Sequence, residues 1–214
     1  MPVPANAKVY HIVHADRLAS IIQAGGLHCD SHMQGNAHPG TTIGMPELKQ
    51  TRLHRPVHVH LGTVVGDFVP FYFCSRSVML YVIYMRNHPG LLYKGGQGPI
   101  VHLEADVGEV LDWAEEHDVP WAISLGNASA MYAEFRASRD DFDELKWGLI
   151  HEQDFRDPEV KEAKQSELLI KDFFPWELVE RIGTHSDALA TQVAQTIQTC
   201  AHRPTVQRML PWYY

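Results

Sequence analysis

The sequence of 214 residues predicts an α+β fold in one domain, residues 1–214. Three observations carry this. Helical and strand-like segments follow one another without regular alternation, no GxGxxG turn follows a strand, and no GxxxxGK motif ending in Ser or Thr is present. A doubly wound parallel sheet needs regular alternation, and its nucleotide sites use one of those two turns. With 45% hydrophobic and 21% charged residues, the chain suffices for one well-buried core.

Lys8 to Val13 is β-branched and aromatic, as a first strand should be. Asp16 stands where an N-cap is expected before Leu18, Ile21 and Ile22 at helical spacing, and Gly25-Gly26 closes that helix. From Cys29 to about Pro46 the chain is rich in Gly, His, Asn, Thr and Pro without periodicity. A connection that long inside a compact domain is usually functional or disordered. Pro46 to Arg52 fits a short helix, and Val57 to Leu61 alternates like a strand. Asp67 to Cys74 is aromatic-dense, and Ser77 is placed to cap an apolar helix from Val78 to Met85. A turn at Gly95 to Pro99 precedes a strand at Ile100 to Leu103 and an amphipathic helix at Val107 to His117. Val119 to Ser124 reads as a strand, and Asn127 to Arg136 and Asp141 to Trp147 as helical pieces. Ser166 to Ile170 is a strand with a carboxylate inside it. Leu178 to Gly183 alternates, and a helix follows from Asp187 to about Ala201.

The apolar run Met79 to Met85 stops at Arg86, well short of the roughly 18 residues of a membrane span, so no membrane association is expected. The first residues lack the basic patch and long apolar stretch of a secretion signal, and the cytoplasm is the expected compartment. Cys29, Cys74 and Cys200 have no CxxC spacing, which argues against a disulfide framework and against structural zinc. His58 and His60 would share one side of a strand, but no third ligand stands at a familiar spacing, and no metal is expected. A net charge of −8 does not favour phosphate binding, so any nucleic-acid contact must be a local patch.

Glu167 stands out because Leu168, Leu169 and Ile170 follow it in a segment that favours burial. A buried carboxylate must be paired or hydrogen-bonded, so it is either a structural ion-pair member or a working group in a cleft. Arg52, Arg55 and Arg76, taken singly, read as solvated arginines, His11 and His14 as half-buried histidines, and Asn127 as a helix cap.

Together, however, these pieces form a pattern. Tyr10-His11-Ile12-Val13-His14 leads into a helix ending in Gly-Gly-Leu. The run Asp67 to Tyr81 (DFVPFYFCSRSVMLY) follows, then Lys164-Gln165-Ser166-Glu167-Leu168-Leu169 with Phe173-Phe174-Pro175-Trp176. This order resembles the DarT-type DNA ADP-ribosyltransferase toxins from about Val9 to Gly183, and again at Trp212 to Tyr214.

The resemblance implies an ADP-ribosyltransferase fold, two small β-sheets meeting at a cleft that holds NAD, flanked by helices. It implies that His11, Ile12, Val13, Ser20 and His28 contact NAD. The loop from about Cys29 to Leu53 becomes the NAD-binding element, with Arg52 the catalytic arginine that also holds the dinucleotide. Glu167 becomes the catalytic glutamate, and Val119 to Glu167 carries acceptor recognition. Arg76, Met79 and Asn127 fall at substrate-binding positions. Loss of nicotinamide develops positive charge on the ribose, which a fixed carboxylate stabilises. The implied acceptor is a base, thymidine in related proteins, in single-stranded DNA, where no unstacking cost of roughly a few kcal/mol is incurred. Trp121, Tyr132 and Phe135 are candidate stacking partners for its bases. The sequence departs from the family's pattern at Leu125-Gly126-Asn127, where relatives are more charged or carry histidine.

The expected protein is thus an NAD-dependent toxin, monomeric, restrained by a macrodomain antitoxin of DarG type. Alternatives are an ADP-ribosyltransferase acting on RNA or protein, NAD hydrolysis without an acceptor, and a non-catalytic nucleotide-binding module in which Glu167 is structural.

Overall fold

A computed structural model describes residues 3–34 and 39–214 of the chain. The first strand, β1 (Lys8–His14), runs into a 3-10 turn (Ala15–Arg17) and helix α1 (Leu18–Gln23). His14, not Asp16, caps this turn: its ring accepts from the Asp16 N–H, while the Asp16 carboxylate takes Thr41 N–H at 2.9 Å and Thr41 Oγ1 at 2.7 Å. Asp16 therefore pins a distant loop. After α1 the chain turns at Gly25, whose φ of 78° suits glycine, into a short strand β2 (Gly26–His28). Of the irregular stretch from Cys29 to Pro46, residues 35–38 lie outside the described residues; Asp30–Met33 forms α2.

Helix α3 (Pro46–Arg52) opens with proline at its first turn and ends on Arg52, as its sequence predicts. Val57 to Leu61 is not a strand. Val57 bonds Thr63 and His60 bonds Val57, so the segment closes on itself in a turn at Gly62, and the expected alternation ends with Leu61 95% exposed. Next come β3 (Phe68–Tyr72), α4 (Val78–Met85) with Ser77 Oγ accepting Leu80 N–H at its start, β4 (Ile100–Asp106), α5 (Val107–Glu116) and β5 (Trp121–Ser124).

Asn127 to Arg136 is likewise not helical. The Asn127 side chain accepts the Ser129 N–H, an Asx turn that competes with a helix start, and the segment ends as strand β6 (Phe135–Arg136) on β5. The Asp141 to Trp147 piece divides into a 3-10 turn (Arg139–Glu144) and α6 (Trp147–Ile150). The chain closes with α7 (Pro158–Ala163), β7 (Glu167–Lys171), β8 (Phe173–Pro175), β9 (Arg181–Thr184), α8 (Asp187–Thr196) and β10 (Thr205–Arg208).

Eight strands form one sheet in the order β10-β9-β4-β1-β3-β7-β5-β6, and β2 pairs with β8 separately. Only β9 and β10 run parallel among these pairs. The large sheet is two half-sheets joined at a seam. β1 matches β4 over seven residue pairs and β3 matches β7 over five, whereas β1 meets β3 at the single pair Tyr10 and Tyr72. Strand alternation assigns the faces. Val9, Val13, Val69, Phe71, Leu103, Leu168 and Ile170 fill the larger core, against which α1, α5, α6 and α8 pack. Glu167 and Leu169 project to the other side, with Tyr72 opposite Glu167.

Candidate active site

Where β1 and β3 part beside the Tyr10–Tyr72 pair, the seam opens into a cavity of about 310 Å³. That is at the lower end of the range of small-molecule sites. Its walls come from β1, α1, β2, the loop at Thr41 to Met45, α3, β3, α4 and the start of β7.

Among the lining residues stand the two that the resemblance implies to be catalytic. Arg52 Nη1 donates to both oxygens of Glu167, at 3.1 Å to Oε1 and 2.9 Å to Oε2, although 115 residues separate them. Arg52 is 9% exposed and Glu167 5%, so the pair is nearly desolvated. Burial pushes the Glu167 carboxyl above the ordinary glutamate value, opposed by the Arg52 charge and hydrogen bond. Burial acts to lower the Arg52 guanidinium, but the charge and hydrogen bond of Glu167, with Tyr72 and Asp30, together outweigh it, and the guanidinium stays protonated throughout. Arg52 Nη2 is buried with no partner among the described residues. A buried donor left open beside a cavity is costly unless a ligand accepts from it, and a phosphate or ribose oxygen meets that need. Tyr72, paired with Glu167 across the strands, has its phenol pushed up by burial, so it stays protonated.

His11, Ile12, Val13, Ser20 and His28 all line the same cavity. His11 Nδ1 lies 2.7 Å from the Pro70 carbonyl, which can only accept, so Nδ1 carries the proton and Nε2 is left an acceptor. Burial pushes the His11 imidazolium down to about 4, and the ring is neutral at physiological pH. Ser20 Oγ donates to Arg17 O at 2.8 Å, leaving its lone pairs for a donor. His28 stacks on His32, with centroids 4.1 Å apart, and meets Phe173 at a tilt of 50°.

Of the three positions implied to meet the acceptor, Met79 and Asn127 line the cavity and Arg76 does not. The Arg76 guanidinium lies 4.4 Å from the centre of the Tyr214 ring instead. Trp121 and Phe135 are 7% and 5% exposed and belong to the core, whereas Tyr132 is 84% exposed. Tyr72, Lys49, Asp30, Ser129 and Gln165 fall inside the implied segments and motifs without being singled out, and they also line the cavity. Tyr72 had a signal, its two-residue alternation with Pro70 in an aromatic strand; Lys49, bonded to Asp30 at 2.7 Å, looked like any surface lysine. Among the described residues no three His, Cys, Asp or Glu side chains are placed to hold a metal ion, and no helix is long and apolar enough to cross a membrane. His60 instead bonds the Trp121 carbonyl at 2.8 Å.

The chain is 34% identical over 217 residues to a DNA ADP-ribosyl transferase of Thermus aquaticus, covering 100% of this chain and 90% of the relative. To the DNA ADP-ribosyl transferase of Mycobacterium tuberculosis it is 35% identical over 194 residues, covering 86% and 79%. Among solved structures, DarT of Thermus sp. 2.9 in complex with ADP-ribosylated ssDNA matches with a TM-score of 0.90 at 30% identity, covering 100% of this chain and 99% of that one. The same protein in complex with NAD+ matches with a TM-score of 0.81, also at 30% identity and covering 99% of each chain. The family described as "ssDNA thymidine ADP-ribosyltransferase, DarT" matches residues 10–214, and the chain belongs to that DarT family.

Proposed function

We propose that this chain transfers ADP-ribose from NAD to a thymidine base of single-stranded DNA, releasing nicotinamide. One observation carries the assignment of roles: a nearly desolvated Arg52–Glu167 pair on the wall of the seam cavity, with a second guanidinium nitrogen left open.

The residues divide the work by position. The Glu167 carboxylate, held by one guanidinium nitrogen, stabilises the positive charge that grows on the ribose as the nicotinamide bond breaks. Arg52 orients that carboxylate and offers Nη2 to the dinucleotide. His11, Ile12, Val13, Ser20 and His28 line the NAD side, where His11 Nε2 and the Ser20 lone pairs accept from amide or hydroxyl groups of the ligand. Met79 and Asn127 face the acceptor, and Arg76 is assigned no contact inside the cavity. A single strand presents its bases without the cost of extruding them from a duplex. The same reading makes the chain a monomer acting in the cytoplasm, restrained by a macrodomain antitoxin of DarG type.

The test uses the purified chain with NAD labelled in its adenylate part and oligonucleotides with and without thymidine, single-stranded and duplex. Label on thymidine-containing single strands alone is the expected result. Label on protein or RNA with none on DNA would move the acceptor to another class.

A further inference from the structure

The motif at Trp212 to Tyr214 takes no part in the chemistry described above, yet each of its three rings is committed to a different place in the fold. Trp212 covers Gly183 of β9, where a Cβ would lie 2.2 Å from the indole, and packs edge-on against Tyr10. The buried Tyr213 hydroxyl bonds Ile100 O at 2.8 Å and Gly183 O at 3.0 Å. These two residues tie the segment to the large sheet.

Tyr214 reaches instead to the start of α4. Its hydroxyl proton is shared between Arg76 O at 2.9 Å and Ser77 O at 3.3 Å, and burial pushes the phenol up, so it stays a donor. Arg76 O has use for that donor. The Leu80 N–H, four residues on, is taken by Ser77 Oγ at 3.2 Å, and Cys74 Sγ approaches Arg76 O as a weak donor at 3.6 Å. The Arg76 guanidinium lies over the same ring, 4.4 Å from its centre, and Tyr81, Phe155 and Tyr84 pack around it with ring centres 5.1, 5.8 and 6.0 Å away. Buried Gln97 clamps the backbone: its Oε1 accepts the Tyr214 N–H at 3.1 Å and its Nε2 donates to the Tyr214 carbonyl.

Helix α4 is one wall of the cavity, through Val78, Met79 and Val82. Two of these three belong to its first turn, which is the part that Tyr214 holds.

We propose that Tyr214 is a positioning residue, whose hydroxyl and ring latch the first turn of α4 and so set where Met79 stands in the cavity. The inference rests on the ADP-ribosyltransferase reading, which puts Met79 beside the acceptor. It also gives Arg76 a use outside the cavity, as the cation packed on the latch. A wall that binds acceptor and transition state alike, once loosened, costs KM and not kcat.

The experiment reads two things in each variant: hydrogen exchange of the Leu80 and Tyr81 amides, which both bond Ser77, and KM and kcat for transfer to a thymidine oligonucleotide. Tyr214→Phe keeps the ring and removes the hydroxyl. Exchange at both amides is expected to quicken about fivefold and KM to rise by a similar factor, with kcat unchanged. Tyr214→Ala, which removes the ring as well, is expected to exceed Tyr214→Phe in both. Tyr213→Phe is the control, because its hydroxyl ties the same segment to the sheet without reaching α4: thermal stability should fall while exchange and KM stay as in the wild type. Unchanged KM in both Tyr214 variants overturns the proposal, and so does unchanged exchange at Leu80 and Tyr81. A KM that rises in Tyr213→Phe in the same proportion to lost stability also overturns it, since the segment is then a structural anchor alone. A wild-type protein that modifies no thymidine would instead overturn the function proposed above, and the exchange measurement would still decide whether Tyr214 holds α4.

Discussion

Arg52 spends one nitrogen on Glu167 and keeps the other buried and unpaired: Nη1 reaches both carboxylate oxygens, at 3.1 and 2.9 Å, while Nη2 has no partner among the described residues. Arginine–carboxylate pairs frequently use both arms of the guanidinium fork, and here the second arm is not used by Glu167. Replacing Glu167 by Gln keeps an oxygen for Nη1 and removes the charge. Transfer is expected to fall by about 10²–10³, while urea unfolding shows a loss of about 3–5 kcal/mol from the buried Arg52 charge left unpaired. A collapse of the fold with activity lost only in proportion would return Glu167 to a structural role.

The same residue sets a pH limit. Burial raises the Glu167 carboxyl above its reference of 4.5, with Asp30 adding to the rise and Arg52 opposing it. Catalysis needs the ionised form, so kcat/KM should fall as pH drops through a limb lying above 4.5. The stability contribution has the opposite sense, because between 4.5 and the native value the folded state binds the proton more tightly than the unfolded chain. A pH–rate profile whose acid limb lies at or below the free-glutamate value would contradict the assignment.

How far the sequence leads is clear from where these residues sit. Glu167 stood out because a carboxylate interrupts an apolar strand, whereas Arg52, taken singly, reads as a solvated arginine and gains a role only through the DarT resemblance. What remained hidden depends on partners distant along the chain. The seam is one pair, Tyr10 and Tyr72, and no local pattern encodes two strands parting. Val57 to Leu61 alternates correctly for a strand yet folds back on itself, since Val57 finds its partner at Thr63 rather than on a neighbouring strand. Asn127 to Arg136 has helical composition, but the Asn127 side chain captures the Ser129 N–H first.

His102 gives the fold its own acid sensitivity. The ring is fully buried, donates from Nε2 to Ser75 O at 2.9 Å, and leaves Nδ1 without a partner among the described residues; Tyr10, Trp212 and Tyr213 pack against it. Burial lowers its imidazolium from 6.5 to about 4, against the bond to Ser75. The unfolded chain then binds more protons across that window, so stability falls as pH drops from 6.5 towards 4. Between about pH 7 and pH 5 this amounts to about 2 kcal/mol. Urea unfolding at both pH values should show a smaller difference in His102→Gln than in the wild type; equal differences would refute the attribution.

Gly26 ties the small sheet to the cavity it lines. It pairs with Pro175 across β2 and β8, and a Cβ there would meet the Phe174 carbonyl oxygen at 2.1 Å and the Phe173 ring at 2.7 Å. Backbone cannot yield as a flexible side chain does, so Gly26→Ala should cost about 3 kcal/mol. It should also raise the KM for NAD, because His28 follows two residues later on the same short strand. Thermal melting and NAD titration read the two effects, and a variant matching the wild type in both would show that the strands separate without penalty.

Trp121, Tyr132 and Phe135 are alike in a sequence window that implies stacking on DNA bases, and burial sorts them. Trp121 and Phe135 sit in the core at 7% and 5% exposure, Trp121 against Phe142 with ring centres 6.0 Å apart. Trp121→Ala should therefore destabilise by about 3–5 kcal/mol, lowering every activity together. Tyr132 is 84% exposed beside Met131 at 83%, and Arg55 Nη1 lies 3.5 Å from the Met131 carbonyl, three residues from Arg52. Two large side chains held in water next to the segment that Arg55 contacts have no structural use that burial can identify. Tyr132→Ala should leave stability within about 0.5 kcal/mol and weaken oligonucleotide binding by about 1–3 kcal/mol. Binding of a fluorescent single strand measures this directly. If Tyr132→Ala binds like the wild type, the DNA leaves the cavity by another side of the seam.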